Sequence, residues 1–324
     1  MGPAIYCCAS LPRAQLPAAR LPEAGLPEAG LPEAGLPEAG LPEALLPKAG
    51  RDLEGADMPA GPEQAPVIAV ASGKGGVGKT TVAVNLALAL AAAGLRIGLV
   101  DADLYGPDVP RMLGLRRRQE ATQLTVFGVQ GRAQARLQAV ARHGIQISSA
   151  AFLMGESQGL GIDAGLAQLL VRRLIVDTDW DNPDCLVVDL PPGTADIQQF
   201  VFALGGRPVH VLLVVTPQVI AHQDVRRLIA DLQRRSAVTL GGVENMSGLI
   251  CAHCGQITPM FPSARPEDSV WSQIDRLASI PFSPQAAADA DQGEPVMLTR
   301  AVPEQVAAFE LLASRVRDHL AQPG

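Results

Sequence analysis

Gly73-Lys74-Gly75-Gly76-Val77-Gly78-Lys79-Thr80-Thr81 fits the phosphate-loop pattern G-x-x-x-x-G-K-[ST]. The apolar run Val67-Ile68-Ala69-Val70-Ala71 leads into it and reads as a buried strand. An Ala/Leu/Val segment from about 80 to 93 follows and reads as a helix. Strand, glycine loop and helix in that order separate a working motif from a chance glycine-rich turn. Glycines let the backbone curl so that successive N–H groups face inward on phosphate oxygens, and the helix N-terminus adds the positive end of its dipole. Gly73 through Thr81 therefore form the expected nucleotide-binding segment. Lys79 is expected on the β- and γ-phosphates, and the Thr80 hydroxyl on Mg²⁺. The chain has three lysines, Lys48, Lys74 and Lys79, against plentiful arginine, and two of the three sit in this loop.

The chain continues with Arg96-Ile97-Gly98-Leu99-Val100-Asp101, a second buried strand, and Asp101 and Asp103 stand at its end. Ligand groups gather at strand C-termini in a parallel sheet, so these carboxylates suit Mg²⁺ and an attacking water. Residues 128–143 read as a strand turn and a short helix, 145–149 as a strand and 164–176 as a helix. Cys185-Leu186-Val187-Val188-Asp189 is an apolar strand ending in an acid, the Walker B arrangement. It places Asp189 near Mg²⁺ through water, with Pro191-Pro192-Gly193 as a switch loop and Cys185 buried. Strands at 209–215 and 239–244, a helix from about 222 to 235 and an amphipathic helix packed on the domain at 303–320 complete an α/β, doubly wound, mostly parallel sheet.

Residues 1–62 are of a different kind. Leu-Pro-Glu-Ala-Gly repeats start at Leu21, Leu26, Leu31 and Leu36. Proline every fifth residue forbids a helix and removes strand donors, so this segment reads as an extended, disordered tail, with the nucleotide domain at 63–324. Met58 stands just before the first strand as an alternative start. Net charge is −7, the opposite of the usual sign for a nucleic-acid binder, and Arg116-Arg117-Arg118 reads as a solvated helix end. No apolar run reaches the length of a membrane span, and no signal peptide is evident. Five unevenly spaced cysteines suit a reducing, cytoplasmic compartment.

Cys251-Ala252-His253-Cys254 is a second site of potential chemistry. One C-x-x-C supplies two thiolates, whereas a zinc site or an iron–sulfur cluster takes four ligands. A two-fold dimer would satisfy that count, because two chains bring four thiolates to one interface. A redox dithiol, a structural zinc, with His253 as a further candidate ligand, and inert cysteines stand beside this reading.

The lysine pair in Lys-Gly-Gly-Val-Gly-Lys-Thr resembles the deviant Walker A ATPases, the group that holds MinD/ParA, the nitrogenase iron protein and Mrp/ApbC. DADLYGPDVPRMLG (101–114), VVDLPPGTAD (187–196), GVENMSGLICAHCG (242–255) and Ile280-Pro281-Phe282-Ser283-Pro284 narrow the resemblance to the Mrp/ApbC iron–sulfur cluster carriers. It implies an ATP-hydrolysing homodimer in which Lys74 reaches the partner's nucleotide, Asp103 orients the hydrolytic water and Asn245 touches the adenine. Cys251 and Cys254 would share a bridging [4Fe-4S] cluster, taken from a donor and passed to apo-protein clients. Ala252 replaces the family's usual proline, Ala195 its usual glycine, and Gly161-Ile162-Asp163-Ala164 its Trp-Arg-Gly-Pro. The rival of another class is a positioning ATPase of the MinD/ParA kind.

Overall fold

The computed structural model describes residues 65–115, 124–129, 132–153, 163–193, 196–204, 207–235, 237–262 and 264–322. The repeat tail, Met58, Arg116-Arg117-Arg118, Gly161, Ile162 and Ala195 lie outside them. In chain order the elements are β1 (Val67–Ala71), α1 (Lys79–Ala92), β2 (Ile97–Asp101), α2 (Val109–Met112), β3 (Leu124–Val129), β4 (Arg132–Gln138), β5 (Val140–Arg142), β6 (Ile145–Ser149), α3 (Ala150–Leu153) and α4 (Ala164–Val176). They continue with β7 (Thr178–Asp179), β8 (Cys185–Asp189), α5 (Asp196–Phe202), β9 (Val209–Val215), α6 (Val219–Arg234), β10 (Val238–Ile250), β11 (Ile257–Thr258), β12 (Arg276–Phe282), α7 (Pro284–Asp291), α8 (Val296–Thr299) and α9 (Pro303–Leu320).

Among the described residues, nine strands make the main sheet. Its order is β11-β10-β9-β1-β8-β2-β6-β5, with β12 on the other flank of β10. From β9 to β6 and on to β12 the pairings are parallel, and only β5 and β11 run antiparallel. The chain passes from β1 out to β2 and β6, returns through β8, and then crosses to β9 on the far side of β1. That reversal opens a crevice at the C-terminal ends of β1, β2 and β8, where doubly wound sheets bind ligands.

The expected mostly parallel α/β sheet is therefore present, and its strands show why. All five residues of β1, β2 and β8 are buried, as strands covered on both faces must be. Ile68 and Val70 point into one core with α1 and α9, while Val67, Ala69 and Ala71 point into the other with α4, α5 and α6. α1 is buried from Val82 to Leu90, and its alanines let it pack close between the sheet and α9. The C-terminal segment is helix α9 as expected, with Val306, Phe309, Leu312, Ala313 and Val316 buried. Its apolar stripe is spent on the domain.

Three sequence expectations change. Residues 132–142 form β4 and β5, and the short helix expected within 128–143 is absent. Leu137 is buried between exposed Arg136 and Gln138, a period-two alternation that outweighs the helix propensity of Ala, Gln and Arg. Helix α6 begins at Val219, not near 222, because extended Gln218 ends the strand exit and its carbonyl accepts from the Ala221 and His222 N–H groups. The strand expected at 239–244 runs the 13 residues of β10. It outlasts β9, whose pairing stops at Glu244, because β12 continues to pair with it as far as Leu249.

Candidate functional site: a phosphate loop joined to a cysteine hairpin

The loop after β1 is shaped by its own side chains and by close neighbours. The Ser72 hydroxyl donates to the Lys74 carbonyl at 2.8 Å. Gly73 lies against α6 so closely that a Cβ there would stand 2.6 Å from the Asp224 main chain. Gly76 and Gly78 take φ of 75° and 83°, left-handed values that glycine adopts without a Cβ penalty. α1 then starts at Lys79, which is buried within the curl. The result is a concave array of N–H groups at a helix N-terminus, built for phosphate.

The acidic side chains take different positions. The Thr80 hydroxyl donates to Asp189 Oδ2 at 2.6 Å. Asp189 Oδ1 is buried and has no hydrogen-bond partner, so one carboxylate oxygen is left over beside the Mg²⁺ position expected from the motif. Threonine hydroxyl, carboxylate and phosphate oxygens are the hard donor set that Mg²⁺ takes, so these residues fit the ion. Asp101 is spent within the chain. Its oxygens accept from the Asp103 and Val109 N–H groups, each at 3.3 Å, and from the Ser149 hydroxyl at 2.9 Å. Asp101 thus braces the loop after β2, at the strand end where the sequence places a carboxylate for Mg²⁺ and an attacking water. Asp103 Oδ1 accepts from the Tyr105 and Gly106 N–H groups, at 3.3 and 3.2 Å.

Burial pushes the Asp189 carboxyl up to about 7, against the pull of Thr80 and Lys79. Burial and the neighbouring Asp189 push Asp101 well above the usual carboxylate range, and burial also raises Asp103. With the folded value of Asp189 above its unfolded value of 3.8, the folded state holds a proton that the unfolded chain has released. Its contribution to stability is complete below that unfolded value and is lost as pH rises through about 7. Asp189→Asn should therefore make the nucleotide-free protein more stable than the natural chain at pH 8, by on the order of 4 kcal/mol, with the gap narrowing to about a third of that at pH 5. Urea unfolding of both proteins at the two pH values measures this. The same variant should lose the extra stabilisation that Mg²⁺ adds to bound nucleotide.

Beside the loop lies a cavity of about 330 Å³ between the start of α1, the end of β12 and α7. Asn245, Met246, Pro281, Phe282 and Gln305 line it. Asn245 is buried and donates through Nδ2 to the Val77 carbonyl at 2.8 Å, tying β10 to the phosphate loop. Asn85 on α1 also lines the cavity and accepts from the Met297 N–H at 3.1 Å. Lys74 Nζ donates to Gln218 Oε1 of its own chain at 2.7 Å. The loop residues, Asp103, Asp189 and Asn245 thus meet at one edge of the sheet. Asn85 on α1, Gln305 on α9 and Ser149 at the end of β6 join them without having been expected, and Gln218 lies outside the cavity, against Lys74. Each is a polar side chain on an otherwise ordinary element, and only the crossovers bring it there. The segment 280–284 was visible in the sequence as part of the family resemblance alone.

Cys251 and Cys254 occupy the tip of a β-hairpin. β10 pairs antiparallel with β11 through Leu249–Thr258 and Ile250–Ile257. The Cys251 N–H donates to the Gln256 carbonyl at 2.9 Å and the Gly255 N–H to the Cys251 carbonyl at 2.8 Å. Cys254 is exposed and Cys251 half-buried, while Cys185 is buried in β8 with its thiol raised to about 12 by burial. Among the described residues no group of three or more His, Cys, Asp or Glu side chains is placed to hold a metal ion. No helix among them is long and apolar enough to cross a membrane.

Comparison with known proteins agrees with this geometry. Residues 64–317 match a family model described as ParA, NUBPL iron-transfer P-loop NTPase. An iron-sulfur cluster carrier protein of Escherichia coli is 35% identical over 257 residues, covering 78% of this chain and 66% of the relative. One of Deinococcus radiodurans is 36% identical, covering 82% of this chain and 72% of the relative. The chain thus spans about two thirds of the length of such relatives. A nucleotide-binding protein of Archaeoglobus fulgidus, solved with ADP, superposes with a TM-score of 0.58 at 29% identity, over 76% of this chain and 92% of that one. MinD of Pyrococcus horikoshii, at 22% identity, a TM-score of 0.53 and coverage of 80% and 98%, shares the fold. The phosphate loop, the carboxylate-ended β8 and the cysteine hairpin thus occur together in a chain that belongs to the iron-transfer, iron–sulfur cluster carrier family of P-loop NTPases.

Proposed function

We propose that this protein is an ATP-binding and ATP-hydrolysing carrier that holds a [4Fe-4S] cluster between two copies of the chain and delivers it to apo-proteins in the cytoplasm. The observation that carries the reading is the course of β10. This one strand holds Asn245 against the phosphate loop and the cavity, and it ends at the hairpin of Cys251 and Cys254. Nucleotide and cluster sites are thus consecutive stretches of one element.

In this reading the Gly73–Thr81 N–H groups and Lys79 bind the phosphates, and Asn245 with its cavity takes the adenine. Thr80 would hold Mg²⁺, with Asp189 reaching it through water. The ion would neutralise charge on the β- and γ-phosphates when bound. Asp103 would orient the hydrolytic water, and Lys74 would reach the partner's nucleotide. The cluster is cargo on two thiolates from each chain. A cluster donor loads it, and transfer to a client exchanges one set of thiolates for another with no net change in electrons. Closing the dimer on ATP would move the interface at which the hairpins meet, a coupling between two sites through two global states.

The test is an anaerobic transfer assay from reconstituted protein to an apo-protein, run with ATP, with ADP and without nucleotide, beside iron and sulfide analysis. About four irons and four sulfides per dimer, with a transfer rate that depends on nucleotide, is the expected result. About one zinc per dimer without sulfide would make the cysteines a structural staple, and transfer indifferent to nucleotide would refute the coupling. The positioning rival loses its support in α9, whose apolar face is buried in the domain.

A further inference from the structure

Lys74 is the first lysine of the loop, and in this chain it is already engaged. Its ammonium donates to Gln218 Oε1 at 2.7 Å, across 144 positions of sequence. The bond is specified from both sides. Ser72 fixes the start of the lysine by donating to its carbonyl, and the close approach of Gly73 to Asp224 presses the loop onto the first turns of α6. Gln218 stands at the N-cap of α6, yet its side chain makes no capping bond, and only its main-chain carbonyl serves the helix. The amide oxygen is left for the lysine. Val219 and Ile220, the next two residues, are 36% and 58% exposed, so the bond sits beside an uncovered apolar pair.

We propose that Gln218 is a positioning residue that holds Lys74 inside its own chain and releases it when a second copy brings a nucleotide triphosphate to this face. The proposal rests on the reading of Lys74 as a group that acts across the dimer. A neutral amide suits the task. It accepts one hydrogen bond from the ammonium, which phosphate oxygens of the partner's nucleotide can outbid, whereas a carboxylate would add a full charge and hold the lysine back. The held conformation makes Lys74 unavailable to the partner, so part of the binding energy of dimer closure is spent on breaking the bond. Dimerisation is thereby made to depend on a nucleotide that offers enough charge.

The test compares Gln218→Ala and Gln218→Glu, each with Lys74 intact and with Lys74→Ala. ATP-driven dimerisation is followed by sedimentation, and ADP affinity of the monomer serves as a control for the loop. Gln218→Ala should tighten the ATP-bound dimer about fivefold and Gln218→Glu should weaken it by at least as much, with ADP affinity unchanged. In the Lys74→Ala background, where the ATP-bound dimer is expected to be lost, the two substitutions should leave the ADP affinity and the unfolding midpoint of the monomer alike. A purely structural role would weaken the dimer in both variants and would shift the monomer's unfolding midpoint even without Lys74. That result, or no change in either variant, overturns the proposal. If Lys74→Ala itself leaves the ATP-bound dimer intact, or ATP forms no dimer, the cross-dimer reading fails first and the release of Lys74 fails with it.

Discussion

Gly78→Ala is expected to cut affinity for Mg²⁺-ATP by roughly a hundredfold while leaving a folded protein. Gly78 holds φ at 83°, where an L-residue pays about 1 kcal/mol or more. The new methyl would stand 2.3 Å from Asn245 Nδ2, so the asparagine must move. Its bond to the Val77 carbonyl breaks, leaving a buried donor and acceptor unpaired at about 1–3 kcal/mol. Strain and lost bond together amount to about 3 kcal/mol, and both fall on the join between the phosphate loop and the base cavity. Calorimetric titration with Mg²⁺-ATP reads the affinity, and urea unfolding reads the stability. Gly75→Ala is the internal contrast. A Cβ there meets only Pro192, at 3.6 Å, which is ordinary contact, so its stability should stay within about 0.5 kcal/mol of the natural chain. Equal losses in both variants would show that the loop tolerates no methyl anywhere and that Asn245 has no special part.

On the proposed carrier reading, Cys251→Ala with Cys254→Ala should abolish cluster binding outright, from about four irons and four sulfides per dimer to none. Nucleotide affinity and unfolding free energy should stay near those of the natural protein. The hairpin is closed by main-chain bonds, and neither cysteine lines the cavity beside the phosphate loop. Cys185→Ala is the control for a cysteine effect of another kind. It empties a buried position in β8 and should cost stability while sparing iron content. Iron and sulfide that survive the double substitution would remove the hairpin from the cargo site.

Much of the fold was legible because its signals are local. β1, β2, β8 and β9 are unbroken apolar runs, and such runs belong to strands buried on both faces. The phosphate loop needs glycine where the backbone turns left-handed, and Gly76 and Gly78 stand there. Asp189 is expected near Mg²⁺ from its place at the end of an apolar strand, and in the fold it accepts from the Thr80 hydroxyl at 2.6 Å. The paired cysteines mark a candidate ligand site by their spacing, and a redox dithiol and inert cysteines fit the same spacing.

Other features depend on which elements the crossovers bring side by side. Asp101 reads in sequence as a second carboxylate for the metal. Ser149, 48 positions later, and the Val109 N–H also bond to it, because β6 lies beside β2. The length of β10 could not be read either. Asn245-Met246-Ser247 looks like a strand exit, and Met246 does take a φ of 55°. β12 nonetheless pairs with the strand as far as Leu249, two residues before Cys251. The bond from Lys74 to Gln218 is of the same class. From the residues alone, the family resemblance and the glycine pattern determine a P-loop domain with a thiolate turn. Only the tertiary structure decides that the strand leading to Cys251 is tied through Asn245 to the phosphate loop and that the loop's first lysine is held at home, since Asn245 meets Val77 across 168 positions and Lys74 meets Gln218 across 144.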